Sequence, residues 1–174
     1  MQFDAPFVAI RSFFEAGGDV LWAIFAVTIL MWTLIIERFW FFRFVLPQQV
    51  ADIRSEWEAR QDRGSWRSRS IRQLLISEVS INIRRYLKII QVLMVLLPLL
   101  GLLGTVTGMI QVFNVMAIVG TSNARLMAGG VSAATIPTMA GLVAALSGFY
   151  LAVYLQRRAD TEIDTIEDLL VQNQ

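Results

Sequence analysis

The chain has 174 residues, of which 56% are hydrophobic, and this composition is typical of a polytopic membrane protein rather than of a soluble domain. It contains no cysteine and no histidine, which excludes disulfide frameworks, thiolate nucleophiles and histidine proton shuttles. The sequence also lacks a nucleophile–base set, a phosphate-binding loop and a metal-ligand cluster. We therefore expect no enzyme activity, no catalytic residue, no cofactor and no metal site.

The N-terminal part of the chain predicts a helix on the membrane surface followed by a first membrane span. Phenylalanine and isoleucine repeat at helical spacing near the N-terminus, and the glycines at 17–18 break that pattern. We expect residues 1–19 to form a periplasmic interfacial helix and residues 20–44 to form the first transmembrane helix, with aromatic side chains at both of its ends. Glu37 and Arg38 are expected near its inner end as solvated or paired anchors.

Residues 45–88 are the one long polar segment, and they predict a cytoplasmic loop and stalk. A short amphipathic helix is expected after Pro47, and a capping-box pattern that starts at Ser70 marks the beginning of a further helix. From there the helical pattern continues through Tyr86 and Lys88 into the next apolar stretch. We therefore expect one helix to run from about residue 71 to 119.

Two long uncharged runs follow, with 36 residues before Arg125 and 31 after it. Each is longer than the roughly 20 apolar residues that cross a bilayer. We expect residues 89–119 and 126–156 to be the second and third transmembrane helices, joined by a periplasmic turn at 120–125. Residues 157–174 are then a cytoplasmic tail. The predicted fold is an all-α membrane protein of three transmembrane helices with long cytoplasmic helical extensions.

Small residues form one stripe on each helix of this hairpin, at the i, i+3, i+4, i+7 spacing of a single helix face. Helices in a bilayer associate by close packing because lipid tails are as apolar as leucine, so such stripes predict close helix contact. The close-packing residues predicted in this way are Gly101, Gly104, Gly108, Ala134, Gly141 and Ala145.

The charges of the chain predict its orientation in the membrane. Residues 37–88 carry eleven lysines and arginines, whereas residues 1–19 carry one. Because basic loops stay in the cytoplasm, the N-terminus is expected outside and the C-terminus inside. The arginines of residues 54–72 are interleaved with acidic residues and lie beside a span, so we interpret them as a topology signal and expect no nucleic-acid binding.

Several stretches of the hairpin carry a resemblance to a known family: Gly-Leu-Leu-Gly-Thr-Val at 101–106, Ala-Gly-Gly-Val at 128–131, Thr138, and Gly-Leu-Val-Ala-Ala at 141–145. They resemble the two core helices of the MotA/TolQ/ExbB proton-channel family. Chain length and loop size are most similar to ExbB in its shorter second type, which belongs to the TonB energising system. The resemblance is specific across the hairpin and architectural elsewhere.

The resemblance implies a multi-pass protein of the bacterial inner membrane, surrounded by membrane lipids and assembled as a homo-oligomeric ring, expected to be a pentamer. It implies an ExbD-like single-span partner in the lumen of the ring and a TonB-like protein that receives the work. Thr105 and Thr138 coincide with the family's pore-lining threonines, which implies a place on the proton path. The implied function is to couple the proton motive force to outer-membrane import of iron-siderophores or cobalamin.

This sequence departs from the family pattern at one position. Family members that carry a glutamate on the third helix have it five residues before the threonine matching Thr138, and here that position is Ala133. Because a methyl group holds no proton, the resemblance implies that the partner's aspartate carries it.

Other interpretations remain open at this point. A TolQ-like subunit of the envelope-constriction Tol system shares the hairpin, and so does a MotA-like flagellar stator, although a fourth span and a larger cytoplasmic domain would be expected there. A passive membrane scaffold would have no ion path. Thr105 and Thr138 could each simply donate a hydrogen bond to a carbonyl of their own helix.

Overall fold

The computed structural model describes residues 4–58, 66–119 and 124–172, and every element in these ranges is helical. Three of the helices are long and apolar enough to cross a membrane, which confirms the all-α fold with three spans. The turn predicted at 120–125 lies largely outside the described residues. The elements are α1 (Asp4–Trp40), a π-helical segment (Phe41–Val45), α2 (Leu46–Glu58), α3 (Trp66–Arg84), α4 (Leu87–Val119) and α5 (Ala124–Gln172).

The glycine break predicted at 17–18 is a kink inside α1. Gly18 has φ 63° and ψ −162°, a backbone conformation that side chains with a β-carbon rarely adopt. Helical residues lie on both sides of Gly18, so its non-helical backbone separates the N-terminal helical segment from the first span, as the sequence predicted.

The helix predicted over residues 71 to 119 is wrong in two respects. It begins earlier, at Trp66, so Ser70 lies inside α3 and is not its cap. It is also interrupted at Arg85 and Tyr86, where α3 ends and α4 has not yet begun. Local sequence gives no reason for this interruption, and the carbonyl of Asn82, in the last turn of α3, accepts a hydrogen bond from Arg38 of α1.

The chain divides into two compact units, which we call the hairpin unit and the stalk unit. The hairpin unit comprises Met1–Trp32 and Val92–Phe149. Its buried apolar residues come from the first part of α1 and from both helices of the hairpin. They are Leu21, Ile24, Met31, Leu93, Leu97, Ala134 and Ala145.

The stalk unit comprises Thr33–Gln91 and Tyr150–Gln174. In its part of α5 the buried residues Ala152, Leu155, Ala159 and Ile166 follow the spacing of one helix face. Other buried members of this core are Ile35, Phe42, Leu46, Val79, Ile83, Leu87 and Ile90.

Polar side chains also join the helices of the stalk unit. Arg84 of α3 donates to Asp160 of α5 at 3.0 Å, which is a contact between the basic segment and the acidic tail. Nearer the membrane segments, the Gln91 side-chain amide of α4 donates to the Gln156 amide oxygen of α5 at 2.7 Å. The tail predicted at 157–174 is thus part of a packed helix in its described residues.

Candidate functional site

The two small-residue stripes of the hairpin face each other and bring the backbones of α4 and α5 into contact. A β-carbon at Gly101 would lie 2.9 Å from the Cα of Thr138, and one at Gly108 would lie 2.6 Å from the Cβ of Ala134. At Gly141 it would lie 2.6 Å from the carbonyl oxygen of Leu97. These spaces hold no side chain larger than hydrogen, so glycine is what allows this approach.

Gly104 lies at the junction of three helices in the hairpin unit. A β-carbon there would collide with the ring of Pro137 on α5, and it would lie 3.4 Å from a methyl carbon of Val20 on α1. The first span therefore packs against the hairpin at this level. We use the name hairpin seam for the contact made by Leu97, Gly101, Gly104, Gly108, Ala134, Pro137, Thr138 and Gly141.

Thr138 makes a hydrogen bond across the hairpin seam. Its Oγ1 donates to the carbonyl oxygen of Gly101 at 2.9 Å, from α5 to α4. The missing side chain at Gly101 is what lets the hydroxyl reach this carbonyl. The interpretation that Thr138 bonds only to its own helix is therefore wrong for this residue.

Thr105 behaves differently, although it is on the adjacent part of α4. Its Oγ1 donates to the carbonyl oxygen of Leu102 at 2.7 Å, one turn earlier in its own helix. The residue is half-buried, and the hydrogen bond of its hydroxyl stays within α4. The structure thus pairs Thr138 with Gly101 and leaves Thr105 bonded within α4.

Sequence reasoning missed the part that Pro137 plays in the seam. Its ring is buried against Gly104, and its nitrogen carries no hydrogen, so the carbonyl of Ala133 loses its regular helical partner. Ala133, the position where some members of the resembled family carry a glutamate side chain, therefore lacks one regular helical hydrogen bond. The signal was present in the sequence as a proline at the centre of a predicted span.

Arg38 is paired rather than solvated, and these were the two alternatives that the sequence left open. Only 3% of the residue is exposed. Its guanidinium is bound by Glu37 at 2.7 Å and donates to the carbonyl oxygen of Asn82 at 2.9 Å. This cluster lies in the stalk unit.

The spanning segments of the hairpin contain no acidic, lysine, arginine or histidine side chain in residues 89–124 or 126–156. Among the described residues there is also no group of three or more side chains that could hold a metal ion. The polar groups that the hairpin offers are thus hydroxyls, amides and backbone carbonyls.

Comparison with protein families gives a match over residues 48–168, which includes α3, α4 and most of α5. The matching model is that of the MotA/TolQ/ExbB proton channel family. The chain belongs to this family. No curated protein matches the chain. Family membership and the three spanning helices give it a role in a membrane proton channel.

Proposed function

We propose that this chain is the ring-forming subunit of an ExbB-type proton channel in the bacterial inner membrane, with its N-terminus outside and its C-terminus inside. An ExbD-like single-span partner occupies the lumen of a homopentamer, and proton flow through the complex drives a TonB-like protein that powers outer-membrane import of iron-siderophores or cobalamin. The observation that carries the proposal is the closely packed and uncharged helix pair of the hairpin, in which Thr138 lies in the hairpin seam and Thr105 lies on α4 beside it.

An uncharged hairpin requires the proton to rest on another chain. A proton does not cross hydrocarbon as a bare charge, so its path needs water, hydroxyls and a titratable group sheltered from lipid. The hairpin supplies hydroxyls, but its spanning segments supply no carboxylate. A carboxylate on the partner's single helix meets that need.

The hydrogen bonds that the two threonines already make determine whether their hydroxyls can donate to such a carboxylate or only accept from it. The one hydroxyl hydrogen of Thr138 is donated to Gly101, and that of Thr105 is donated to Leu102. Each oxygen then keeps lone pairs that accept hydrogen bonds. A protonated carboxyl group can donate to them, whereas a carboxylate cannot. The threonines therefore favour the proton-loaded, neutral form of the partner's acid.

Reconstitution into lipid vesicles tests this proposal. The chain alone should pass protons no faster than empty vesicles, and addition of the co-purified single-span partner should produce flux driven by a membrane potential. Changing the partner's intramembrane aspartate to asparagine should abolish that flux while the complex stays assembled. Flux through the chain alone would contradict the proposal, because it would reveal a water path that needs no carboxylate.

The identity of the single-span partner distinguishes the ExbB-type role from the TolQ-type role. Purification of the full chain from its native membrane, followed by identification of the single-span protein bound to it, supports the proposal if that protein is accompanied by a TonB-like component. Recovery of Tol-system components instead would assign the chain to envelope constriction.

A further inference from the structure

Arg38 is the most completely enclosed charge among the described residues. Its Nε and Nη2 donate to the two carboxylate oxygens of Glu37 at 2.7 and 2.9 Å, and its Nη1 donates to the carbonyl oxygen of Asn82 at 2.9 Å. The guanidinium carbon lies 4.6 Å from the ring centre of Phe41 and 4.6 Å from that of Tyr86. The planar cation is therefore held by hydrogen bonds at its edge and by contacts with two aromatic rings.

The carbonyl that Arg38 binds lies at the place where the helix from the stalk is interrupted. Asn82 is in the last turn of α3, whose terminal carbonyls have no partner within that helix. Tyr86, whose amide would bond to Asn82 in a continuous helix, lies between α3 and α4. Regular helical bonding resumes with the Ile90 amide, which donates to the Tyr86 carbonyl at 3.0 Å.

Local sequence favours a continuous helix through this interruption. The residues from Asn82 to Ile90 are Asn-Ile-Arg-Arg-Tyr-Leu-Lys-Ile-Ile, without glycine or proline. Kinks in helices have identifiable causes, and one of them is a side chain that inserts into the hydrogen-bond ladder. Arg38 contacts the ladder at the Asn82 carbonyl, from a position 44 residues away in sequence.

We infer that Arg38 is a positioning residue that keeps α3 and α4 separate helices, by taking the Asn82 carbonyl that would otherwise bind the Tyr86 amide. Phe41 and Tyr86 hold the guanidinium in the required plane, and Glu37 balances its charge. The π-helical segment that begins at Phe41 has wider turns than an α-helix and is a form often found at functional sites. The residues around Arg38 thus form a joint, which we call the Arg38 joint.

The Arg38 joint places a two-residue turn between α3 and α4. In a continuous helix, any movement of the spanning segment would be carried rigidly into the stalk. A break held by one side chain allows α4 to shift while α3 keeps its packing. In a working proton channel this separates movement in the membrane from the cytoplasmic helices, a consequence that rests on the function proposed above.

Hydrogen exchange measured on the full chain in detergent tests the joint, because loss of Arg38 is expected to slow amide exchange there rather than to speed it up. In Arg38→Met, α3 and α4 should fuse, and the amides from Tyr86 to Ile89 should gain regular helical partners. Their exchange should slow by about tenfold, equivalent to about 1.4 kcal/mol in opening free energy. A variant that merely loses packing would exchange faster there. The matched control is Arg43→Met, which removes an exposed arginine of the π-helical segment and should leave exchange at these amides unchanged.

Arg38→Lys provides a second variant that keeps the charge beside Glu37. An ammonium group lacks the planar array of donors of a guanidinium, so it can make only some of the contacts of Arg38. Amide exchange from Tyr86 to Ile89 should therefore slow less than in Arg38→Met. Unchanged or faster exchange in Arg38→Met would overturn the inference. So would loss of the folded state in both variants, since that would assign Arg38 a general role in the core of the stalk unit.

Proton flux separates this inference from the proposed function. In vesicles that contain the partner, Arg38→Met should lower flux severalfold at an unchanged amount of assembled complex, whereas Arg43→Met should not. If the unmodified complex shows no flux, the proposed function fails and the exchange result still stands. If the unmodified complex conducts and Arg38→Met conducts equally, the joint has no part in conduction and its coupling role is contradicted.

Discussion

Gly141 allows the sharpest quantitative test of the hairpin seam, through its replacement by alanine. The added β-carbon would lie 2.6 Å from the carbonyl oxygen of Leu97 and 3.3 Å from the Cα of Gly101, and both atoms belong to the backbone of α4. Backbone atoms cannot rotate aside as a side chain does. Since ordinary contact begins at 3.4 Å, the helices must separate locally by about 0.8 Å to admit the methyl group.

The cost of this separation has two parts. Overpacking of a close contact costs about 1–3 kcal/mol. The hydrogen bond from Thr138 to the Gly101 carbonyl, now 2.9 Å long, would be stretched beyond useful range, and its loss costs about 0.5–1.5 kcal/mol. Alanine regains about 1 kcal/mol through its higher helix propensity. We therefore expect Gly141→Ala to lower the free energy of unfolding by about 2 kcal/mol.

Gly129 provides the matched control on the same helix. Nothing lies within 4 Å of a β-carbon at this position, so Gly129→Ala gains the helix propensity without the collision. The free energies of unfolding of the two alanine variants should therefore differ by about 3 kcal/mol. Reversible unfolding in mixed detergent micelles, followed by circular dichroism, measures both on one scale. A difference below about 0.5 kcal/mol would refute the packing of the hairpin seam as described.

The threonine hydrogen bonds and the orientation of the chain give two further predictions. Thr138→Val should destabilise the hairpin by about 1 kcal/mol and lower the proton flux of the complex. Thr105→Val loses only a hydrogen bond within its own helix, so it should change the free energy of unfolding by less than half as much. Equal effects of the two variants in unfolding and flux assays would contradict this distinction. In the proposed orientation, a cysteine at Ser12 should react with an impermeant thiol reagent in intact cells and a cysteine at Ser65 should not. The chain has no native cysteine that could add background labelling. Labelling at Ser65 would contradict the proposed orientation.

The parts of the fold that follow from local pattern could be predicted from the sequence. The uncharged runs specify spanning helices because hydrocarbon leaves the backbone no other way to satisfy its hydrogen bonds. The spacing of Gly101, Gly104 and Gly108 marks one helix face, and the structure places that face against α5. Gly18 bends α1 because its glycine backbone tolerates a positive φ.

The parts that depend on distant residues could not be predicted in the same way. The interruption at Arg85 and Tyr86 has no signal in the surrounding residues, and the side chain that contacts the α3 backbone there, Arg38, belongs to another helix. The same holds for Thr138, whose choice between a carbonyl of its own helix and that of Gly101 is decided by how closely two helices pack. In both cases the side chain has more than one possible acceptor, and the sequence alone does not indicate which acceptor it bonds to.

The hairpin seam also constrains how copies of the chain could meet in the proposed ring. Gly101, Gly104 and Gly108 are occupied by contacts within a single chain, so they are not available for close packing between chains. The faces of α4 and α5 that remain exposed carry large apolar side chains such as Leu102 and Val143. Lipid solvates such side chains as well as protein does, so burying them between copies yields little hydrophobic free energy in a bilayer. Assembly of the proposed ring must then depend on shape complementarity, on polar contacts at the membrane surface and on the partner helix in the lumen.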